Sequence, residues 1–284
     1  MSPGSPSSEP GGVGRARACS SSPTLPSHRF PVWLAFAFSL LLLPGAAPAD
    51  GAACPADRRG ERVVGAEVID GDTLALADGR RVRLLGINTP EIGRDGEPSE
   101  PFAEDARDLL RDLAGPGTDL RLRLDVERFD RYGRLLAHIF AASGENFQAQ
   151  LLDAGLATTL VVPPNQWAVD CYAAVEAGAR SRRVGVWRLD AYQPVPAENL
   201  SGTARGYRVV TGRVQRVGES RGNLWLNLSR HMAVRIPRED LVYFGERDPR
   251  RLAGRRVEAR GWIHQRKGEL RMTVRHPAAL TVLE

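Results

Sequence analysis

Three short stretches of this chain hold side chains that could act on a phosphodiester. Ile69-Asp70-Gly71-Asp72-Thr73 sets two carboxylates around a turn. Arg83-Leu84-Leu85-Gly86-Ile87-Asn88-Thr89-Pro90-Glu91 follows, with a cation at one end and an acid just past a proline. Asp130-Arg131-Tyr132-Gly133-Arg134 adds a second cationic turn. Carboxylate and carbonyl oxygens suit a hard cation. Arginines suit a phosphate, which they can grip through two parallel N–H donors. A loop carboxylate beside a cation can take a proton from water. Together these are the parts for metal-assisted phosphodiester hydrolysis. Each stretch also has a plain reading. Asp-Gly-Asp is a common turn, Arg83 could pair with a structural carboxylate, Glu91 could be a solvated loop acid, and residues 130–134 could be an ordinary charged hairpin. The occurrence of all three, in this order, weighs against the plain readings.

Asp72 leaves its strand just after a turn and is the best candidate carboxylate for a cation, with Asp70 behind it or acting through water. Arg83 sits among Val82, Leu84 and Leu85. Burying a charge unpaired is costly, so Arg83 needs either a carboxylate or a substrate phosphate. Glu91 is the candidate for handling water. Arg134 could reach the same phosphate from a second loop, with Arg131 and Tyr132 touching phosphate oxygens or sugar. Other chemistries lack their signatures. No cysteine–histidine zinc spacing, P-loop or Gly-x-Ser-x-Gly elbow is present, and the five histidines do not cluster in sequence.

Elements must position these groups. Val63 to Ile69 reads as a strand, Thr73 to Leu76 alternates, and Asp78-Gly79 is a hairpin signal before a strand at Arg80 to Ile87. Ser99 to Leu113 reads as a helix capped by Ser99 and stopped by Gly115-Pro116. Leu120 to Val126 and Leu135 to Phe140 form a hairpin about the Asp130–Gly133 turn. Asn146 caps a short helix to Ala154, and a last helix runs from Trp167 to Arg183. This is an α+β domain built on a five-stranded barrel. Pro194, Pro196 and Gly202 mark a linker. Six further strands, from Tyr207 to Leu283, and no strong helix predict a second small all-β barrel of OB type. The expected organisation is a signal segment at 1–49, the first domain at 60–189, a linker at 190–204 and the basic barrel at 205–284.

Charge separates the halves. Residues 50–199 hold 18 basic and 25 acidic side chains, and residues 200–284 hold 18 basic and 8 acidic. The second half is therefore the one expected to attract a polyanion over distance. Trp225, Trp262, Tyr207 and Tyr243 could stack on bases there, or simply pack. At the other end, Val32 to Leu43 is apolar, follows Arg15, Arg17 and Arg29, and leads to Ala47-Pro48-Ala49. That run is too short for a spanning helix and has the pattern of a secretory signal cleaved after Ala49, an uncleaved anchor being the alternative. Export to the periplasm or medium follows, with no stable membrane insertion after cleavage. Cys54 and Cys171 then remain in an oxidising compartment, where one disulfide is expected; two unrelated thiols and a lipid-bearing Cys54 are the alternatives.

Residues 63–187 resemble the thermonuclease, or staphylococcal nuclease-like, family through Ile-Asp-Gly-Asp-Thr, Arg-Leu-Leu-x-x-x-Thr-Pro-Glu, Asp-x-Tyr-Gly-Arg and a closing Gly-x-Trp. The resemblance implies a five-stranded OB-type barrel with three helices. It implies calcium-dependent cleavage of DNA and RNA to 3′-phosphates, magnesium or another divalent ion being the alternative. Arg83, Glu91 and Arg134 fall on its catalytic positions, and Asp72 and the Thr89 carbonyl on calcium-ligand positions. Asn88 stands where the family has a calcium-binding aspartate; its amide oxygen can coordinate, with one negative charge fewer. Leu160-Val161-Val162 stands where tyrosines hold a base, so base stacking there should be weak. The rival function is a catalytically weak nucleic-acid-binding envelope protein that keeps the nuclease fold.

Overall fold

The computed structural model describes Cys54 and residues 59–283. The expected signal segment and its cleavage point lie outside the described residues. Among the described residues no helix is long and apolar enough to cross a membrane.

The first barrel is built from β1 (Glu61–Asp70), β2 (Thr73–Leu76), β3 (Arg81–Leu84), β4 (Gly86–Asn88), α1 (Ala103–Ala114), β5 (Asp119–Phe129), β6 (Leu135–Ala141), α2 (Phe147–Asp153), β7 (Thr158–Leu160) and α3 (Val169–Arg182). Strands β1-β2-β3-β6-β5 close on themselves, with β3 and β6 parallel and the other pairs antiparallel. Alternation sends Leu74, Val82, Leu84, Leu120, Leu122 and Ile139 inward, all nearly inaccessible. Strand β6 is buried on both faces, because α2 packs on it and Tyr172 of α3 meets its His138. The Cys54–Cys171 disulfide joins the start of the described chain to α3.

Three expected boundaries shift, each for a tertiary reason. The Arg80–Ile87 strand breaks after Leu84. Leu85 N still bonds Ala137 O at 2.9 Å, but β4 then leaves the barrel and pairs antiparallel with β7, a strand too short for its sequence pattern to announce. Ser99 does not cap α1; its Oγ accepts from Gly93 N at 3.1 Å, and the helix starts four residues later. Trp167 does not open α3. Its N donates to Asp125 Oδ2 at 2.9 Å and its ring packs edge-on against His138 and Phe140.

The second sheet comprises β8 (Pro194–Pro196), β9 (Gly206–Arg213), β10 (Arg216–Glu219), β11 (Asn223–Asn227), β12 (Met232–Pro237), β13 (Arg256–Arg266), β14 (Glu269–Thr273) and β15 (Leu280–Val282). Its order is β10-β11-β12-β14-β13-β9-β8, with β15 on β13, and β12 and β14 run parallel. Only Val214 and Gln215 separate β9 from β10. Val214 N still bonds Arg255 O, whereas Gln215 N bonds Asn227 O, so one bent segment touches both ends of the strand order. The second sheet thus repeats the strand order of the first barrel, including its one parallel pair, around its own core of Val210, Leu226, Val234, Val257 and Met272.

Residues 190–204 are structured. Short 3-10 turns at Asp190–Tyr192 and Ala197–Asn199 flank β8, which lies parallel to β9. Helix α3 and the 3-10 turn after it meet the second sheet through a third apolar cluster of Ala179, Val186, Trp187, Tyr207 and Val209, with Tyr192 and Trp262 against it. Tyr207 stacks on Tyr192 with centroids 4.9 Å apart and meets the Trp262 ring edge-on at 5.1 Å. Tyr207 and Trp262 are packing residues here, not stacking platforms. Trp225 lies under the Arg271 guanidinium, and Tyr243 is half-buried. Two ion pairs cross the same interface in opposite senses. Arg180 of α3 holds Glu258 of β13 bidentately at 2.7 and 2.8 Å, and Glu176 of α3 holds Arg260 of β13.

Candidate active site

Strands β1, β2 and β3 end at one mouth of the first barrel, and the turn before β6 reaches the same place. Asp70, Asp72, Arg83, Asn88, Glu91 and Arg134 all line one cleft there, of about 660 Å³. The 69–73 turn is held tightly. Asp72 N donates to Asp70 Oδ1 at 3.1 Å, and a Cβ on Gly71 would lie 2.8 Å from Thr89 Oγ1 and 2.6 Å from the Ala106 methyl. The glycine therefore lets the Asp70–Asp72 turn seat directly on the 88–90 segment. Thr89 N completes this by donating to Asp72 Oδ2 at 3.1 Å.

Arg83 is the hub of the site. Its Nη2 donates to Asn88 Oδ1 at 3.1 Å and lies 3.0 Å from Asp72 Oδ2. Its Nη1 donates to the carbonyls of Leu84 and Ile87. Three hydrogen bonds and an ion pair thus hold the guanidinium, which answers the requirement that a cation within an apolar strand be paired. Arg134 enters from the other side. Gly133 takes φ +76°, which closes the 130–134 turn. Asp130 organises that turn by accepting from the backbone N of Tyr132 and Arg134, each at 2.9 Å, and from Arg134 Nε at 2.7 Å. Burial alone would raise the Asp130 carboxyl, but the hydrogen bonds from Arg134 and Tyr132 outweigh it and hold the group below the usual carboxylate range. Arg134 Nη1 then reaches Thr73 Oγ1 at 3.4 Å, and Thr73 Oγ1 donates to Asp72 Oδ1 at 3.1 Å. A continuous chain therefore runs Arg134–Thr73–Asp72–Arg83.

Glu91 lies on the loop after Pro90, and the loop is pinned to the segment before α1. Glu91 N donates to Glu100 Oε2 at 3.0 Å, and Glu91 O accepts from Glu100 N at 2.9 Å. Desolvation in the cleft pushes the Glu91 carboxyl above its ordinary range, reinforced by Asp72 and Asp70 and opposed by Arg83. Asp70 is raised as well, first by burial and then by its neighbour Asp72. The cleft is lined by five carboxylates, Asp70, Asp72, Glu91, Glu97 and Glu100, against the guanidinium groups of Arg83, Arg94 and Arg134. Two negative charges are in excess, and the carboxylates supply oxygens. A hard divalent cation fits that donor set. The set is sparse, since among the described residues no three His, Cys, Asp or Glu side chains group closely enough to hold a metal by themselves. The backbone and amide oxygens at 88–89 must serve, and Asn88 Nδ2 donates to Thr89 O at 2.8 Å, which engages that carbonyl.

Arg131 and Tyr132 do not line this cleft. They rim an adjoining cavity, where Arg131 Nη2 donates to Tyr132 Oη at 2.6 Å and Tyr132 is 68% exposed. Thr73, Asp130 and Glu100 are structural partners of the site that sequence reasoning left unassigned. Thr73 and Asp130 lay inside the quoted motifs, whereas nothing marked Glu100.

The staphylococcal nuclease homologue family matches residues 81–189, from β3 to just past α3. A thermonuclease from Staphylococcus intermedius is 33% identical over 136 residues, which cover 46% of this chain and 79% of that protein. Endonuclease YncB of Bacillus subtilis (strain 168) is 35% identical over 129 residues, 44% of this chain and 60% of that one. The SPbeta prophage-derived endonuclease YokF of the same organism is 34% identical over 129 residues, 44% of this chain and 43% of that protein.

Proposed function

The chain belongs to the staphylococcal nuclease family, and from that premise we propose that it is an exported, calcium-dependent nuclease acting on both DNA and RNA. The observation that carries the reading is the single cleft in which Arg83, Arg134 and Glu91 face two buried aspartates. Asp72, Asn88 and the Thr89 carbonyl are the residues to hold the cation, with Asp70 behind them. When bound, a divalent cation polarises a phosphoryl oxygen as a Lewis acid. Arg83 from strand β3 and Arg134 from the 130–134 turn grip the scissile phosphate and stabilise the charge that grows on its equatorial oxygens. A phosphate on the Nε–Nη2 edge of Arg83 exchanges for Asp72 and Asn88, so their oxygens are released as substrate arrives. Glu91, whose raised proton affinity suits a base, takes a proton from the attacking water. Export is supported by the signal-like segment before Ala49 and by the Cys54–Cys171 disulfide.

The test is turnover of plasmid DNA and of RNA by the full chain in calcium, in magnesium and in chelator. Glu91→Gln and Arg134→Ala should each lose at least about two orders of magnitude in kcat, the cost of removing one transition-state partner. Either variant retaining more than about a tenth of the rate, a barrier change of ~1.4 kcal/mol, would overturn the assigned role.

A further inference from the structure

Resting on the nuclease reading, we propose that the second barrel supplies a phosphate-binding subsite to the substrate groove through Arg275. A second cavity of about 440 Å³ shares Arg83 and Arg134 as lining residues with the cleft described above. Both arginines line both spaces, so a phosphate held between them has its neighbouring nucleotide in the second one. That cavity is large enough for a small organic group. Leu136, Leu160 and Val162 give it an apolar wall for a sugar or base. The side chain on its lining from outside the first barrel is Arg275, which follows β14.

Arg275 is positioned with unusual rigidity for a half-exposed arginine. Its Nε and Nη2 donate to Asp240 Oδ2 and Oδ1 at 2.7 and 3.0 Å, and Asp240 is 2% exposed. The adjacent His276 anchors the segment to the first barrel, with Nε2 3.1 Å from Gln166 Oε1. The guanidinium is thus held in place before any ligand arrives, with its Nη1 edge left for an acceptor, and little side-chain freedom remains to be lost on binding.

The charges of the two spaces are opposite. The first has two excess negative charges. The second is lined by Arg83, Arg131, Arg134 and Arg275 against Glu127 and Asp130, and stays positive even when Asp240 is counted behind Arg275. One space suits a cation and the other an anion. A polynucleotide offers a second phosphate one nucleotide from the scissile one; of the two arginines there that are outside the reacting centre, Arg131 is engaged with the exposed Tyr132, and Arg275 is the one seated on a buried carboxylate. The base-holding tyrosines expected of the family are replaced here by Leu160 and Val162. A backbone anchor from the second barrel compensates for that loss and reads no sequence.

The experiment compares the full-length wild type with Arg275→Gln, Asp240→Asn and the Asp240→Asn/Arg275→Gln double variant, which leaves no buried charge unpaired. Each is assayed on a dinucleoside monophosphate, with one phosphate, and on a single strand of about ten nucleotides, long enough to cross both spaces. Arg275→Gln and the double variant should raise KM for the longer strand about tenfold, the effect of one charge-assisted hydrogen bond, with kcat unchanged. KM for the dinucleoside monophosphate should not move. Asp240→Asn keeps the guanidinium but loosens its seat, and should raise KM for the strand much less than Arg275→Gln does. The proposal is overturned if Arg275→Gln leaves the strand's KM alone, or if Asp240→Asn raises KM as much as Arg275→Gln does, the signature of a merely structural ion pair. Anisotropy of a labelled strand in chelator separates the two readings. If the wild type cleaves nothing with any divalent ion, the nuclease reading falls. The same titration then still decides whether Arg275 holds a phosphate.

Discussion

Replacing Arg260 with methionine should destabilise the whole molecule and loosen the candidate metal loop with it. Glu176 is fully buried. Its Oε1 accepts from Thr159 N at 2.7 Å, and its Oε2 accepts from Thr159 Oγ1 at 3.0 Å and from Arg260 Nη1. Arg260 also donates to Ala278 O at 2.8 Å. Methionine keeps most of the arm's apolar volume, so the loss is chiefly the counter-charge of a carboxylate that water cannot reach. Removing one partner of a buried pair costs about 3–5 kcal/mol. That is a large part of the ~5–15 kcal/mol that holds a typical domain. Glu176→Gln/Arg260→Met should recover most of the loss, because glutamine can still accept from Thr159 and no charge is left stranded. Arg180→Met, at the more exposed neighbouring pair, should cost less than Arg260→Met. Urea unfolding of the full chain reads all four proteins, with equal m-values required for the comparison. A cost below about 1 kcal/mol for Arg260→Met, the scale of an exposed pair, would refute the argument. It would mean that water reaches Glu176. The link to the site is β7. Thr158 pairs with Asn88 and Thr159 with Ile87, so loss of the Glu176 anchor should also raise the metal concentration needed for half activity.

Asn88→Asp should lower that half-saturating concentration. It removes the amide donor now on Thr89 O and adds a carboxylate to a site served mainly by Asp72; a calcium titration with an unchanged or higher midpoint would place residue 88 outside the ligand set. Acid should destabilise the protein partly through His138, which burial beneath Tyr172 and Trp167 holds at a pKa of about 3. The unfolded chain takes up this proton near pH 6.5 and the folded one does not, so stability is fully present above about 6.5 and is lost as pH falls from there toward 3. The term reaches about 2 kcal/mol at pH 5, at ~1.4 kcal/mol per unit. His138→Gln should flatten the dependence of Tm on pH across that window, and an identical slope in the variant would show that His138 titrates normally.

The first barrel and its cleft were legible because their determinants are local. Period-two alternation marks β2 and β5, the continuous apolar run of β6 returns from a short turn, and the six candidate residues that line the cleft lie in three continuous stretches. Illegible features depend on what packs against what. Ser99 is a good cap by type, but Gly93 N claims its hydroxyl. Strand β7 has three residues and exists because β4 swings out to meet it. Glu100 braces Glu91 from a helix start that no motif reaches.

The charge division of the chain gives the more instructive case. An acidic half and a basic half joined by a proline-containing segment read as a catalytic domain beside a domain that attracts a polyanion over distance. The interface argues otherwise. Trp187 closes the family motif, yet it is 1% exposed against Tyr192, and Tyr192 stacks on Tyr207 of β9. Cutting after Leu200 would uncover that cluster and strand Glu176 without Arg260. The net charge of residues 200–284 reports what the surface can attract at long range, but it cannot report where those arginines are spent. Arg260 is committed to a buried glutamate and Arg275 to Asp240 at the groove, so neither belongs to a diffuse basic patch. The second barrel is better regarded as a wall of the site than as a tether beside it. Point substitutions at Arg260 and Arg275 separate its two roles, holding β7 in place and holding the strand, which a deletion would lose together.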